Sequence, residues 1–550
     1  MKHSVFAGKP PRLSAFDLSH EHKLTMNMGT LVPAMCLEVM PGDTLTINSD
    51  MFMRLMPLAA PMMHRVDTYM HYFFVPSRLV WQNWDEFLTG GVDGTAVPEY
   101  PTVNLVNTQS DDREFLGSLY DYFGLPIPMS GQQLNPVSAL PLRAYNLIYN
   151  EWYRDENLIE EAAVPTTDGV DDQALYVVRR RAWKKGYFES ALPWTQRGEQ
   201  VSVPLDGRAP VIGLNGVVTR LRVAEGWEYD DDGNQIPSGT LRRILGNTQS
   251  DATDGSFDPS LGNNKVLGNA GGSGTKTGYE QTTYASYANL NEWTGLVADV
   301  ANGAGISIQS LRLASAIQRF MEKNARGGIR YIEWLRAHFG VKSSDARLQR
   351  PEYLGGGKSP VVIGEVVQTS ETETTPQGTM AGQGISAQRS LGFTRSFEEF
   401  GYVICIMSVL PRATYEQGIP RMWLRHGRYD QILPEFAGIG DQAVANQELY
   451  AQSANPTDAF GYVPRFEELR RIPSSVHGEF RVANGTLGYW HLGRYFEQEP
   501  TLSKEFVECD PSDRVFAVQD GSDKLLVDIF HNVKALRPIP LNGVPGIRAL

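Results

Sequence analysis

The sequence predicts a mainly β chain with long helical and loop insertions. Three observations carry that prediction. Residues 401–410 alternate Tyr402, Ile404 and Ile406 with Val403, Cys405 and Met407, so the run is apolar on both faces, which suits a strand inside a two-sheet core. Comparable runs lie near both ends of the chain, separated by very long intervals. A clear helical pattern, at residues 311–340, falls in the middle.

Taken in order, the early strand candidates are residues 35–40, 44–48 and 66–75. The first two flank Pro41-Gly42-Asp43, where proline fixes one dihedral and glycine permits a positive one, the ingredients of a turn. The helical stretch is two amphipathic helices. Leu313, Ile317, Phe320 and Met321 line one face of the first; Ile332, Leu335 and Phe339 line one face of the second. Gly327-Gly328 separates them, and Gly340 stands where a C-capping glycine belongs. Later strand candidates are residues 360–368, 401–410, 477–482 and 524–533. A sheet must therefore draw strands from both ends of the chain.

Composition bounds the function. The chain has 550 residues, 41% hydrophobic and 10% aromatic, ample for a large core. Length alone favours three or four domains, but one large β domain with excursions fits the strand spacing better. No apolar run is long enough to span a membrane, and Pro10 and Pro11 interrupt an N-terminus that lacks the apolar region of a signal peptide. Cys36, Cys405 and Cys509 are scattered and odd in number, as expected of a chain that folds in a reducing cytoplasm. The net charge of −13 argues against a dedicated nucleic-acid binder.

Several long strings resemble the major capsid protein of the microviruses, specifically the gokushovirus branch of these small single-stranded-DNA phages. They are Phe16-Asp17-Leu18-Ser19-His20-Glu21, EVMPGDT at 38–44, PVSALPLRAYN at 136–146, NEWYRDENL at 150–158, SALPW at 190–194, the helical stretch from Leu311 to Gly357, GIPRMW at 418–423, and Asp513-Arg514. The resemblance covers most of the chain outside residues 206–300. It implies an eight-stranded antiparallel jelly roll of the viral capsid type. Its core would come from residues 1–205 and 301–550. It also implies pentamers closing into a T=1 shell of sixty copies around circular single-stranded DNA, assembled in the host bacterial cytoplasm. The partners it implies are a small basic DNA-binding protein, an internal scaffolding protein, a DNA pilot protein and a host surface receptor. No cofactor, metal or enzymatic activity is expected.

Residues 206–300 are rich in Gly, Ser, Thr, Asn and Asp and cannot bury a large core of their own. By the same resemblance this insertion forms a host-facing protrusion at the threefold axis. Trp227, Tyr229, Tyr279, Tyr284, Tyr287 and Trp293 would be its anchoring aromatics. The acidic runs at 155–172 and 228–232 read first as solvated loops.

The best nucleic-acid candidate is the basic segment Arg179, Arg180, Arg181, Trp183, Lys184 and Lys185, followed by Tyr187 and Phe188. Its cations suit phosphates and its aromatics suit exposed bases. The competing reading is a patch that pairs with Glu160, Glu161 or Asp172 across a subunit interface. Trp81, Trp84, Trp152 and Trp423 are candidates for interface anchors and equally for the core. Pro-rich excursions at 122–128 and 419–421 are natural interface-makers.

Motifs that would signal an enzyme fail on their surroundings. Gly355-Gly356-Gly357-Lys358-Ser359 has Glu352 where a phosphate loop needs glycine, and a strand rather than a helix follows. Gly438-Ile439-Gly440-Asp441-Gln442-Ala443 matches a relaxed dinucleotide fingerprint with no strand before it. His20-Glu21-His22 lacks a third metal ligand nearby. The alternative from another class is an extracellular carbohydrate-binding or carbohydrate-active β protein, since jelly rolls host both functions.

Overall fold

The computed structural model describes residues 13–107, 115–199, 201, 211–213, 228–229, 235–236, 296–298, 308–369, 377–483 and 485–541. The chain divides into a larger unit, residues 1–198 and 320–550, and a smaller one, residues 199–319. The smaller unit contains two short antiparallel ladders, Val211–Gly213 with Leu296–Ala298 and Glu228–Tyr229 with Gln235–Ile236.

Two antiparallel sheets frame the main core of the larger unit. Their strands are β1 (Ser14–Asp17), β2 (His20–Met26), β3 (Val32–Val39), β4 (Thr44–Leu55), β5 (Val66–Pro76), β6 (Glu352–Pro360), β7 (Val362–Val367), β8 (Met380–Ser396) and β9 (Gly401–Pro411). The short hairpin β10 (Asp441–Ala445) and β11 (Ala459–Pro464) precedes β12 (Leu525–Arg537). One sheet runs β1-β12-β4-β8-β7, with β2 continuing along the same edge of β12; the other runs β6-β5-β9-β3. The two chain ends meet in the first sheet, where Asp17 sits opposite Lys534 and Met26 opposite Leu525.

Gly42 has φ +90, as the turn after β3 requires. Asp43 closes that turn by accepting the Met40 N–H at 3.2 Å. The turn carries the chain from the second sheet to the first, so β3 and β4 share no ladder.

The period-2 pattern explains the layers. On β4, Leu45, Ile47, Met51 and Met53 point inward, and on β12 Leu525, Val527, Ile529 and Val533 do the same. They meet Val403, Cys405, Met407 and Val409 of β9 in the core between the sheets. The other face of β9, with Tyr402, Ile404 and Ile406, packs into a second core. That core includes the short helix α1 (Ser77–Val80) and the helix α2 (Leu140–Ile148). The two-faced apolar strand is thus covered by a sheet on one side and a helical layer on the other.

A chain of polar groups crosses between the sheets. Tyr72 of β5 donates to Ser49 of β4 at 2.6 Å, and Ser49 meets His531 Nδ1 of β12 at 2.7 Å. His531 Nε2 meets the Ala34 carbonyl of β3 at 3.0 Å. A neutral imidazole protonated on Nε2 satisfies every partner.

The sequence expectations needed correction in two places. Residues 477–482 form no strand: His477 precedes a 3-10 turn, Gly478–Phe480, and Gly478 has φ +64. Strands β6 and β8 escaped notice because glycines interrupt them. Those glycines mark close backbone approach: a Cβ on Gly356 would lie 2.2 Å from the Met70 carbonyl oxygen, and one on Gly392 only 1.8 Å from that of Ile47. The Gly355-Gly356-Gly357 run is therefore strand, paired with His71 and its neighbours on β5. Gly438 and Gly440 precede β10 and follow a 3-10 turn, Pro434–Phe436, so no strand–glycine–helix unit exists there.

The helices at 308–339 form as expected. They are α3 (Ile308–Gly327) and α4 (Tyr331–Phe339), with Gly340 as a left-handed C-cap at φ +69. Asn324 Oδ1 accepts from Trp334 Nε1 at 3.1 Å and lies 2.8 Å from His338 Nε2, which staples the hairpin. Arg326 anchors it to β10 through Asp441 at 2.7 Å.

Candidate functional site: the basic segment and the uncovered faces

Residues 179–183 run as an extended strap between two other pieces of chain. Leu31 N–H donates to the Arg179 carbonyl and Arg181 N–H to the Gly29 carbonyl. On the other side, Trp183 N–H donates to Val507 and Cys509 N–H to Arg181. Side chains follow the alternation. Arg181 donates to Ser408 Oγ at 2.9 Å and lies 4.4 Å from the centre of the Tyr69 ring. Trp183 is 3% exposed, with the Arg494 guanidinium 5.2 Å from its ring. Arg494 also lies over Phe506 at 4.1 Å and Phe496 at 5.2 Å, so one cation ties together a satellite core.

The remaining cations lie nearer the surface. Arg179 donates to the Leu175 carbonyl at 3.1 Å and lies over Tyr149. Arg180 pairs with Asp510 at 2.7 Å, and Lys185 with the buried Asp155 at 3.1 Å. Lys184 is exposed. Tyr187 and Phe188 are buried with Tyr415 and Phe460. The segment read from sequence as one basic, aromatic patch is thus split by alternation into an interior row and an exposed row. Lys185 pairs within its own subunit, with Asp155 rather than with Glu160, Glu161 or Asp172.

The string at 150–158 is a junction. Asn150 Nδ2 donates to Ala162, Trp152 Nε1 to Pro351, and Tyr153 meets His71 Nδ1 at 2.8 Å. Glu156 accepts the N–H groups of Ile329 and Arg330 just before α4, at 3.1 and 3.2 Å. Glu333, in the first turn of α4, faces Glu156, Arg330 and Arg197. Burial pushes the Glu333 carboxyl up to about 7, and its contact with Glu156 adds to the rise. Burial also raises Glu156, but hydrogen bonds from Glu333 and the Ile329 N–H more than offset it and hold that carboxyl low.

The string at 136–146 anchors the second core. Arg143 on α2 binds both carboxylate oxygens of Asp171 and donates to the carbonyls of Val80 and Thr167. Sequence inspection missed this pair and the His531 chain, because neither has a local spacing to betray it.

The structure sorts the candidate anchors. Trp81 is fully buried, and Trp84 and Trp152 pack against the second core. Trp423 is 65% exposed and lies on an uncovered apolar excursion with Met422, Tyr429 and Ile439. A second uncovered face is the outside of the first sheet, where Phe52, Arg54 and Leu526 line a groove of about 510 Å³ with Tyr122. Charges there are balanced, Lys23 being held by Glu21 and Asp528. On β2, His20 lies 5.2 Å from His531, centre to centre. Among the described residues no group of three or more His, Cys, Asp or Glu side chains could hold a metal, and no helix is long and apolar enough to cross a membrane. Of the insertion's aromatics, Tyr229 lies in the strand Glu228–Tyr229; Trp227, Tyr279, Tyr284, Tyr287 and Trp293 lie outside the described residues.

The family described as "Capsid protein (F protein)" matches residues 5–547. The chain is 37% identical to capsid protein VP1 of Chlamydia phage 1, over 98% of this chain and 96% of that protein. It is 36% identical to capsid protein VP1 of Bdellovibrio phage phiMH2K, over 97% and 95%. Identity to capsid protein VP1 of Spiroplasma virus 4 is 31%, over 100% and 97%.

Proposed function

Because the chain belongs to the phage capsid protein (F protein) family and is a structural capsid protein of the virion, we propose that it builds the microvirus shell, as pentamers closing into a T=1 icosahedron. The shell would enclose circular single-stranded DNA and assemble in the host bacterial cytoplasm.

The observation that carries the reading is the strand order. Eight strands, β2-β12-β4-β8 facing β3-β9-β5-β6, change sheet at each step along the chain except from β5 to β6. That order supports an eight-stranded jelly roll, the fold of many viral shells. Its long excursions leave β5 before α1 and leave β9 before β10, and they carry most of the uncovered apolar residues. Many modest contacts, repeated by symmetry, then sum to a stable shell.

For the genome, Lys184, Lys185 and Arg180 are the members of the basic segment able to reach a phosphate. With so few free cations and a net charge of −13, condensing DNA calls for a small basic protein beside the shell. An internal scaffolding protein and a DNA pilot protein are further partners of this reading. The insertion at 206–300, with Trp227, Tyr229, Tyr279, Tyr284 and Tyr287, is proposed as the exterior protrusion that meets a host receptor.

The test is sedimentation of the purified protein, made with and without its neighbouring phage genes, followed by negative-stain imaging. Pentamers that become uniform shells when the other genes are present are the expected result. A monomer under both conditions overturns the reading.

A further inference from the structure

Two uncovered faces of the larger unit have opposite charge and matching apolar content. The first is acidic. Residues 79–112 and 155–178 contain no lysine, arginine or histidine. Parallel pairing of Thr102–Val103 with Val170–Asp171 brings these segments together, and Asn83 Nδ2 holds the Asp168 carboxylate at 3.0 Å. Asp85, Glu86, Asp93 and Glu99 are exposed on this edge. Between them stand Val92 and Val97, the latter 87% exposed.

The second face is basic. It is the excursion after β9, joined to the turn after β11 by the Arg425–Glu468 ion pair. Glu467 is 5% exposed and is held by both Arg470 and Arg471, which leaves Asp430 and Glu435 as the exposed acids of the excursion against its exposed arginines. Arg428, Arg470 and Arg471 remain at the surface, and Arg428 has no carboxylate in ion-pair range among the described residues. Trp423 and Ile472, the latter 85% exposed, supply the apolar part.

We propose that these faces are the two halves of one head-to-tail interface, the Trp423–Arg428 excursion of one copy seating on the valine-studded acidic edge of the next. Because different surfaces meet, the contact is heterologous, and its repetition closes a ring when the rotation permits. Trp423 is the type of side chain that dominates such contacts once desolvated, and the charges fix partner and register. The first sheet's outer face lacks this one-signed charge. The inference rests on the self-assembly reading above.

The test is charge reversal, with folding of each variant checked by circular dichroism melting. Arg428→Glu alone, and Glu86→Lys with Glu99→Lys, place like charges across the contact, and each should cut particle yield about tenfold or more. All three substitutions in one chain should restore it. Unchanged yield in either reversal overturns the proposal, as does a folded triple variant that fails to recover. So does an Arg428→Glu protein that assembles normally but retains less DNA, which would make the basic face a genome contact. Should the wild-type chain stay monomeric with and without its neighbouring phage genes, the self-assembly reading falls first and this one with it.

Discussion

Arg143 and Asp171 meet through two contacts of 2.7 Å, with the guanidinium fully buried and the carboxylate nearly so. Tyr176 donates to the same carboxylate, and the spare guanidinium protons go to main-chain carbonyls. Both carboxylate oxygens and every guanidinium nitrogen thereby have a partner, the condition under which a buried pair is tolerable. Asp171→Ala strands a buried cation and should cost about 3–5 kcal/mol. Urea denaturation of the isolated subunit measures it, and a loss within error of zero would refute the account.

His531 predicts an acid limit to stability. Burial pulls its imidazole down to about 4 from an ordinary 6.5. As pH falls below about 6.5 the unfolded chain takes up a proton that the folded one refuses, so stability declines until about pH 4. The decline should reach about 3 kcal/mol for this group. In His531→Gln this part of the slope of the urea midpoint between pH 7 and 4 should vanish, leaving the shares of His64 and His71, which burial also lowers to about 4.

The helical hairpin should respond in the opposite sense. Glu333 keeps its proton to about pH 7 in the folded protein and loses it near 4.5 when unfolded. Stability of the α4 attachment therefore falls as pH rises through that window. Proteolysis within residues 320–340 should be faster at pH 8 than at pH 6, after correction for protease activity. Glu333→Gln should remove the difference.

Gly356→Ala tests the glycine-rich strand. With φ +145 and a Met70 carbonyl in the way, alanine should cost about 1–3 kcal/mol or more, whereas Gly378→Ala, at an open turn, faces only its φ of +89. Comparable thermal shifts in the two variants would contradict the close-approach argument.

The basic segment divides by experiment as it does in space. Trp183→Ala should cost about 3–5 kcal/mol in subunit stability, as loss of a core aromatic does. Lys184→Ala should leave stability within about 0.5 kcal/mol. If Lys184 meets the genome, only its variant lowers the salt needed to release DNA from particles.

Much of the sheet frame was legible in the chain. The alternation in β9, the Pro41-Gly42-Asp43 turn and the Gly340 cap are local patterns, and local patterns can be read. Strands β6 and β8 were not, since Gly356 and Gly392 answer to a neighbouring backbone absent from their own sequence. For the basic segment the residue types were visible but their directions were not. An extended strap turns Arg181 and Trp183 inward and Lys184 outward, and only the chain on either side fixes which is which. Arg143 with Asp171, and His531 with Ser49, depend on contacts between distant segments and left no spacing to find.

The strand β12 fills the middle of a sheet whose other members are made long before it: β1 and β2 on one side, β4 on the other. While the ribosome is still translating, that slot stands open, and the first strands have nothing to hold. Any chain that terminates early keeps an unfilled gap with two exposed edges instead of a finished wall. The last strand to be made is thus the one that ties both ends of the chain into a single sheet, so the fold of the larger unit is completed only when synthesis has passed residue 525.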